Sequence, residues 1–132
     1  MECKYKESWD QDFRYVFSGS LVKTMKDMLL DMKDFEPLDI LISQIERANV
    51  NQMIKWKKEG FCRWAFVDSG AFSVHTGKAQ ITQDEYIDYI NGVIDDVDVF
   101  AQLDTIPGKF GKPKTEEDYI NSANSSWENF RS

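Results

Sequence analysis

Histidine and cysteine are scarce in this chain. His75 is the single histidine, and Cys3 and Cys62 are the two cysteines, far apart and without a companion ligand pattern. A tetrahedral Cys/His metal site therefore has no ligand set here, and no cofactor site is expected within these residues. Two distant cysteines, with no signal peptide ahead of them, predict reduced thiols in a cytoplasmic protein. Cys62 reads as a packed residue and Cys3 as a terminal one. No apolar stretch approaches the roughly 20 residues that a membrane span requires. The glycine-rich phosphate fingerprints, GxGxxG and GxxxxGK[ST], are missing as well, which counts against a nucleotide-binding sheet. A net charge of −7 argues against a generally basic nucleic-acid surface but leaves room for a local basic patch.

What is present suffices for a core. Hydrophobic residues make up 42% of 132 positions and aromatics 14%, which suits one small domain or part of a larger one. Residues 1–13 are polar and read as a loose entry, so the folded part is expected over 14–132. Arg14-Tyr15-Val16-Phe17-Ser18 reads as a short strand ended by Gly19. Ser20 is placed to cap a helix over about 21–34, with Leu21, Met25, Met28, Leu29 and Met32 as its apolar face. Pro37 then punctuates the chain, and Leu38 to Ile42 forms a second strand. Residues 43–48 read as a loop or first turn. Asn49 or Asn51 is placed to cap a helix that runs to Glu59, with Lys57 and Lys58 at its negative end and Gly60 as its stop.

The apolar run Arg63-Trp64-Ala65-Phe66-Val67 is short and β-prone, so it predicts a buried strand. It ends on Asp68, and the chain turns at once through Ser69 and Gly70. Phe72 to Gln80 reads as a polar loop holding His75, whose simplest role is to face solvent. Thr82-Gln83-Asp84-Glu85 is a capping box. It opens a helix with Tyr86, Ile87, Ile90, Val93 and Ile94 on one face and Asp84 and Asp88 in solvent. Val97 to Leu103 predicts a fourth strand ending on Asp104. Residues 105–115 form a loop with Lys109, Lys112 and Lys114. A solvated surface loop is its simplest reading; a hold on a phosphate backbone is the other. A last helix starts at Thr115-x-x-Asp118, with Tyr119, Ile120, Ala123, Trp127 and Phe130 as apolar positions.

Strand and helix alternate four times, which implies right-handed crossovers and a parallel sheet. Two architectures compete: a small doubly wound sheet, and the first half of an eight-stranded barrel, which takes about 250 residues in full. Acids at the ends of two neighbouring strands, Asp68 and Asp104, fit about four βα units of a partial (β/α)8 barrel better. In such folds the C-terminal rim of the strands carries the chemistry.

Phe66-Val67-Asp68-Ser69-Gly70-Ala71-Phe72 resembles the T-D-S-G-G-F motif of the tRNA-guanine transglycosylases (queuine tRNA-ribosyltransferases). Ala101-Gln102-Leu103-Asp104 is similar to their second motif, an acid that ends the next strand. The sequence resembles still more the shorter, often phage- or prophage-borne relatives that carry D-S-G-A-F-S and a strand ending in L-D. The resemblance spans about residues 14–130 and implies an (α/β)8 barrel that exchanges a guanine for a 7-deazaguanine in tRNA or DNA. It implies that Asp68 is catalytic, handling a proton of the base. Ser69 and Gly70 would line the base pocket, Phe72 would wall it, and Asp104 would hydrogen-bond the guanine edge. It also implies that the nucleophilic aspartate and the Cys/Cys/Cys/His zinc site fall beyond residue 132, so that the chain alone is inactive. Ala71 stands where the motif has its second glycine and Ser73 where it has glutamine, which leaves the substrate's identity open.

The chemistry agrees with such a ligand. Guanine N1–H and N2–H₂ are donors, and a carboxylate is the matching acceptor. A base attacked at its sugar must also leave its stack. For Phe72 the other reading is a core aromatic. The expected partners are a purine or 7-deazaguanine base, tRNA or DNA, and a second copy or second chain completing the barrel, because exposed sheet edges invite pairing. Two alternatives stand beside this reading: a non-catalytic binding or regulatory module of the same descent, and a glycoside hydrolase using Asp68 and Asp104 at the carboxyl separations that such enzymes need.

Overall fold

A computed structural model of the chain describes residues 15–19, 21, 23–32 and 36–132. The expectations for residues 1–13, for Arg14 and for Ser20 as a helix cap lie outside these residues. In chain order the elements are β1 (Val16–Ser18), α1 (Lys23–Asp31), β2 (Leu38–Ser43), α2 (Arg47–Glu59), β3 (Cys62–Asp68), α3 (Ala71–His75), α4 (Gln83–Val93), β4 (Val99–Phe100) and α5 (Glu116–Arg131). The four strands form one parallel sheet in the order β1-β2-β3-β4. The α/β class and the parallel sheet follow the alternation seen in the sequence. Among the described residues the sheet is open, with β1 and β4 at its edges.

Register decides which side chains share a face. Phe17 pairs with Ile40, Ile40 with Ala65, Ile42 with Val67 and Val67 with Phe100. These residues build one face, and α1, α2 and α4 cover it: Met25 and Leu29, then Val50, Met53, Ile54 and Trp56, then Tyr89 and Val93 all join its core. Successive strand residues point to opposite sides. Val16, Leu41, Trp64, Phe66 and Val99 therefore lie on the other face, and none of them belongs to the core. Trp64 keeps 48% of its surface exposed.

One irregularity keeps β3 in phase. The pairing steps from Leu38↔Cys62 to Asp39↔Trp64, so Arg63 is an extra residue. A bulge of this kind shifts the alternation by one, and Cys62, Ala65 and Val67 all end up buried. Arg63 uses its position to reach Asp39 through two hydrogen bonds, Nε to Oδ1 at 2.9 Å and Nη2 to Oδ2 at 2.8 Å. Asp39 is only 4% exposed, so this bidentate pair compensates a buried carboxylate. Burial also pushes the Cys62 thiol up to about 11, as suits a packed cysteine.

Several boundaries differ from the sequence expectation. The α1 helix ends at Asp31, so Met32 leaves the helical line, and Met28 sits at the margin of the stripe; both are exposed while Met25 and Leu29 pack. The α2 helix starts earlier than Asn49 or Asn51 would place it, with Glu46 as its cap. Asn49 instead donates to the Glu46 carboxylate at 2.8 Å. Its far end is as expected: Gly60 takes φ 87°, and the Phe61 N–H reaches back to the Trp56 carbonyl at 2.8 Å, the six-to-one bond of a Schellman stop.

The expected seven-residue fourth strand pairs over only two. On its near side the Asp98 carboxylate takes the Ala65 N–H at 2.8 Å. Beyond it, the Tyr86 hydroxyl donates to the Ala101 carbonyl and the Asn129 amide to the Leu103 carbonyl. Side chains have taken the groups that a longer ladder would use.

Candidate functional site

Asp68 ends β3 at the C-terminal rim of the sheet, where it pairs in register with Ser43. It is half-buried, and its Oδ2 accepts the Gly70 N–H at 2.9 Å. This two-residue bond is the local turn that Asp side chains favour. Gly70 completes the turn at φ 77°. A Cβ there would come 2.5 Å from Ile45 Cγ1 and 3.0 Å from Ser43 Oγ, so only glycine fits. Gln44 holds the turn from the β2 side: its N–H donates to the Asp68 carbonyl at 2.9 Å and its Nε2 to the Ser69 carbonyl at 3.2 Å. Both Gln44 and Ser69 are buried. The negative charge of Asp68 reaches Tyr86, whose hydroxyl is raised above its ordinary range by burial and then by that charge.

Asp104 lies at the same rim, beyond the end of β4, and is exposed. Its Oδ1 accepts from Gln102 Nε2. Around it, α5 clamps residues 103–105. Asn129 Nδ2 donates to the Leu103 carbonyl at 2.6 Å, Ser122 Oγ donates to the Thr105 carbonyl, and the Thr105 N–H reaches Ser126 Oγ at 2.9 Å. The α5 helix is itself set by a capping box, in which Thr115 Oγ1 accepts the Asp118 N–H and Asp118 accepts the Thr115 N–H at 2.8 Å. The Thr115 backbone bond holds the Asp118 carboxyl below its ordinary value.

A hollow of about 290 Å³ opens beside Asp104, with His75, Gln83, Leu103, Ile106 and Asn129 among its walls. Asp68, Ser69, Gly70 and Phe72 do not line it. The structure thus brings Asp68, Ser69 and Gly70 together in one turn and sets Asp104 in a separate hollow at the same end of the sheet. Phe72 is not the core aromatic of the alternative reading. It is 63% exposed, and its ring meets Phe110 edge-on with centroids 6.3 Å apart.

His75 sits on the short helix α3 and not in a polar loop; its ring meets Phe110 edge-on at 6.0 Å. The lysine-bearing loop thus folds its Phe110 back over α3. A second, wider cleft of about 520 Å³ lies between Gln44, Arg47, Gln80, Glu85, Asp88 and Tyr89, with the Arg47 guanidinium 4.7 Å from the Tyr89 ring centre. Acids and a base line it together, so it favours no single charge.

Comparisons with family models, with curated proteins and with solved structures return no match. The reading of the site rests on its geometry. Among the described residues no cluster of three or more His, Cys, Asp or Glu side chains is arranged to hold a metal ion. Among them, too, no helix is long and apolar enough to cross a membrane.

Three features of the rim escaped the sequence reading. Gln44 looked like any loop residue, and nothing in its neighbourhood marks it as the post that holds Asp68-Ser69-Gly70. The α5 clamp did leave a signal. Ser122, Ser125, Ser126 and Asn129 recur at three- and four-residue spacing, a polar stripe on one helix face. Gln83 was hidden inside the Thr82 capping box, where it reads only as the first helical residue.

Proposed function

We propose that this chain forms the N-terminal part of a (β/α)8 barrel of the tRNA-guanine transglycosylase type, binding a purine or 7-deazaguanine base at the C-terminal rim of its strands. The observation that carries this reading is the one-sided sheet. In a doubly wound sheet helices cover both faces and the strand order reverses. Among the described residues the order is sequential, α1, α2 and α4 cover one face, and Leu41, Trp64 and Phe66 lie on the other. A barrel has that arrangement, with helices outside and a second layer of side chains turned inward. Asp68 lies in register on the same sheet face as Phe66, two residues further on, which would be the inner side of such a barrel.

The chemistry fits a base. A carboxylate at Asp104 accepts from the N–H groups of a guanine edge, and Asp68 at the neighbouring strand end takes or returns a proton. Exchange at the sugar needs a nucleophile from further strands, so the chain alone binds but does not turn over. A second copy or another chain would close the sheet against β4 and β1. A non-catalytic base-binding module is the second reading, and a specific observation favours it: each carboxylate already has a local partner, Gly70 N–H for Asp68 and Gln102 for Asp104.

Titration of the purified chain with guanine and with 7-deazaguanine, read by tryptophan fluorescence, tests the proposal. Loss of a charge-assisted hydrogen bond is worth about 1.5–3 kcal/mol, so Asp104→Asn is expected to weaken binding roughly ten- to a hundredfold, and Asp68→Asn to weaken it as well. No binding by the folded wild-type chain would sink the reading. Exchange of labelled guanine into tRNA or DNA by the chain alone would overturn its incompleteness.

A further inference from the structure

Two stretches at the C-terminal rim carry no acid. Residues 69–83, which run from the Asp68 turn through α3, and residues 105–115, the loop after Asp104, hold none of the chain's 23 Asp and Glu residues. They hold Lys78, Lys109, Lys112 and Lys114, together with the single histidine. All four lysines are exposed, and among the described residues none of them forms an ion pair. In a chain of net charge −7 this is a local reversal of sign, and a fixed patch of one sign draws in the opposite charge. The acids that follow, Glu116, Glu117 and Asp118, occupy the first turn of α5, where the helix dipole favours negative charge.

The lysine-bearing loop is shaped. The Lys112 N–H donates to the Lys109 carbonyl at 3.1 Å, and Gly111 takes φ 74°, the glycine position of a type II turn. Phe110 stands at the bend, with Lys109 and Lys112 on either side. Its ring is 60% exposed and meets both Phe72 and His75 edge-on. Phe72 is itself open to solvent. Rings turned to solvent among unpaired lysines are the two parts of a single-strand surface: bases stack on the rings, and phosphates meet the cations. Lysines alone would suit any polyanion; the rings select one with flat faces free to stack. His75 joins this surface to the site, since it lines the hollow beside Asp104 and also touches Phe110. A strand lying on the rings would pass beside that hollow.

We propose that the turn at residues 109–114 and the Phe72 and Phe110 rings form a surface for single-stranded nucleic acid. The inference deepens the base-binding reading by naming the surface that holds the polymer. It rests on that reading for where the strand leads, and on the lysines and rings for the strand being held.

Fluorescence anisotropy with labelled oligo-U and oligo-dT of about 12 nucleotides tests it; neither strand contains guanine, so the hollow is not the target. Both are expected to bind, and the tighter of the two names the polymer. Phe110→Ala is expected to weaken binding about tenfold and Phe110→Trp to stay within about threefold of wild type. Lys109→Ala, Lys112→Ala and Lys114→Ala combined should make the slope of log affinity against log salt shallower by about 2, at about 0.7 per phosphate contact. These side chains are exposed, so the variants are expected to fold as the wild type does. No binding of either strand at about 50 mM salt, a duplex bound as tightly as either strand, or equal binding by Phe110→Ala and wild type would each overturn the proposal. So would displacement of the strand by polyglutamate at equal charge, because the surface would then hold any polyanion. Guanine bound and no strand bound would overturn this proposal alone. Strands bound and guanine not bound would support it and sink the base-binding reading alone.

Discussion

At Gly70 the chain needs a residue without a side chain for two separable reasons. The backbone sits at φ 77°, which costs an L-residue about 1–2 kcal/mol. A Cβ would also press into Ile45 Cγ1 at 2.5 Å, and overpacking of that kind costs about 1–3 kcal/mol more. Gly77 has the same sign of φ, 75°, with nothing within 4 Å of its Cβ position. Gly70→Ala is therefore expected to destabilise the chain by about 2–5 kcal/mol and Gly77→Ala by about 1–2. Ile45→Ala should recover part of the Gly70→Ala loss by removing the clash. Urea unfolding of the four chains checks this, and equal losses for the two glycine variants would show that the Ile45 contact yields freely. The motif Asp68-Ser69-Gly70 could be picked out in the sequence because a strand end, an acid and a glycine coincide there. Gln44 and Ile45, which make the glycine obligatory, could not, because the contact joins residues 25 positions apart and depends on the parallel pairing of β2 with β3.

Among the elements, the junction of α2, β3 and β4 is held by one carboxylate. Asp98 Oδ2 accepts from Lys57 Nζ at 2.6 Å and from the Ala65 N–H at 2.8 Å. Burial acts to raise the Asp98 carboxyl, but those two bonds outweigh it and its net shift is downward from 3.8. A carboxylate depressed by folding stabilises the folded state above its unfolded pKa, and that contribution is lost as pH falls through the folded value. Asp98→Asn is expected to cost about 1 kcal/mol at neutral pH, a figure held low because the pair is partly open to solvent. The gap between wild type and variant should close on acidification below about pH 4. Chemical unfolding of both chains across that range checks it; a gap that stays constant would remove the charge from the account.

The sequence reading saw Lys57 only as a cation at a helix end, which it is, and missed the strand it grips. The two capping boxes were more legible than this bond because a capping box is written within four residues. The short ladder of β4 was illegible for the opposite reason: what ends it are Tyr86 and Asn129, donors from two helices.

For the whole molecule, the covered and uncovered faces of the sheet make different demands. The face under α1, α2 and α4 is closed. The other leaves Trp64 and Phe66 in mutual ring contact, 6.1 Å between centroids, with Val16 and Val99 exposed beside them. Among the described residues the sheet also ends in two open edges, and α5 turns Tyr119, Ile120, Trp127 and Phe130 outward. Apolar surface on this scale, next to unpaired strand edges, favours association. The alternation of strands and helices foretold the sheet but not its exposure, since β3 reads as uniformly apolar whether one face is covered or both. If the uncovered face is the inner layer of a barrel, the isolated chain should associate with itself through that face. Sedimentation velocity at micromolar concentration is expected to show species heavier than the monomer. Trp64→Lys should shift the distribution toward monomer without lowering the unfolding midpoint, because Trp64 lies outside the core. Trp127→Lys, on α5, distinguishes the sheet face from the helix as the surface used: a shift by Trp127→Lys alone would place the contact on α5. A wild-type chain that stays monomeric at every concentration would mean that the uncovered face tolerates water, and the argument for a missing inner layer would go with it.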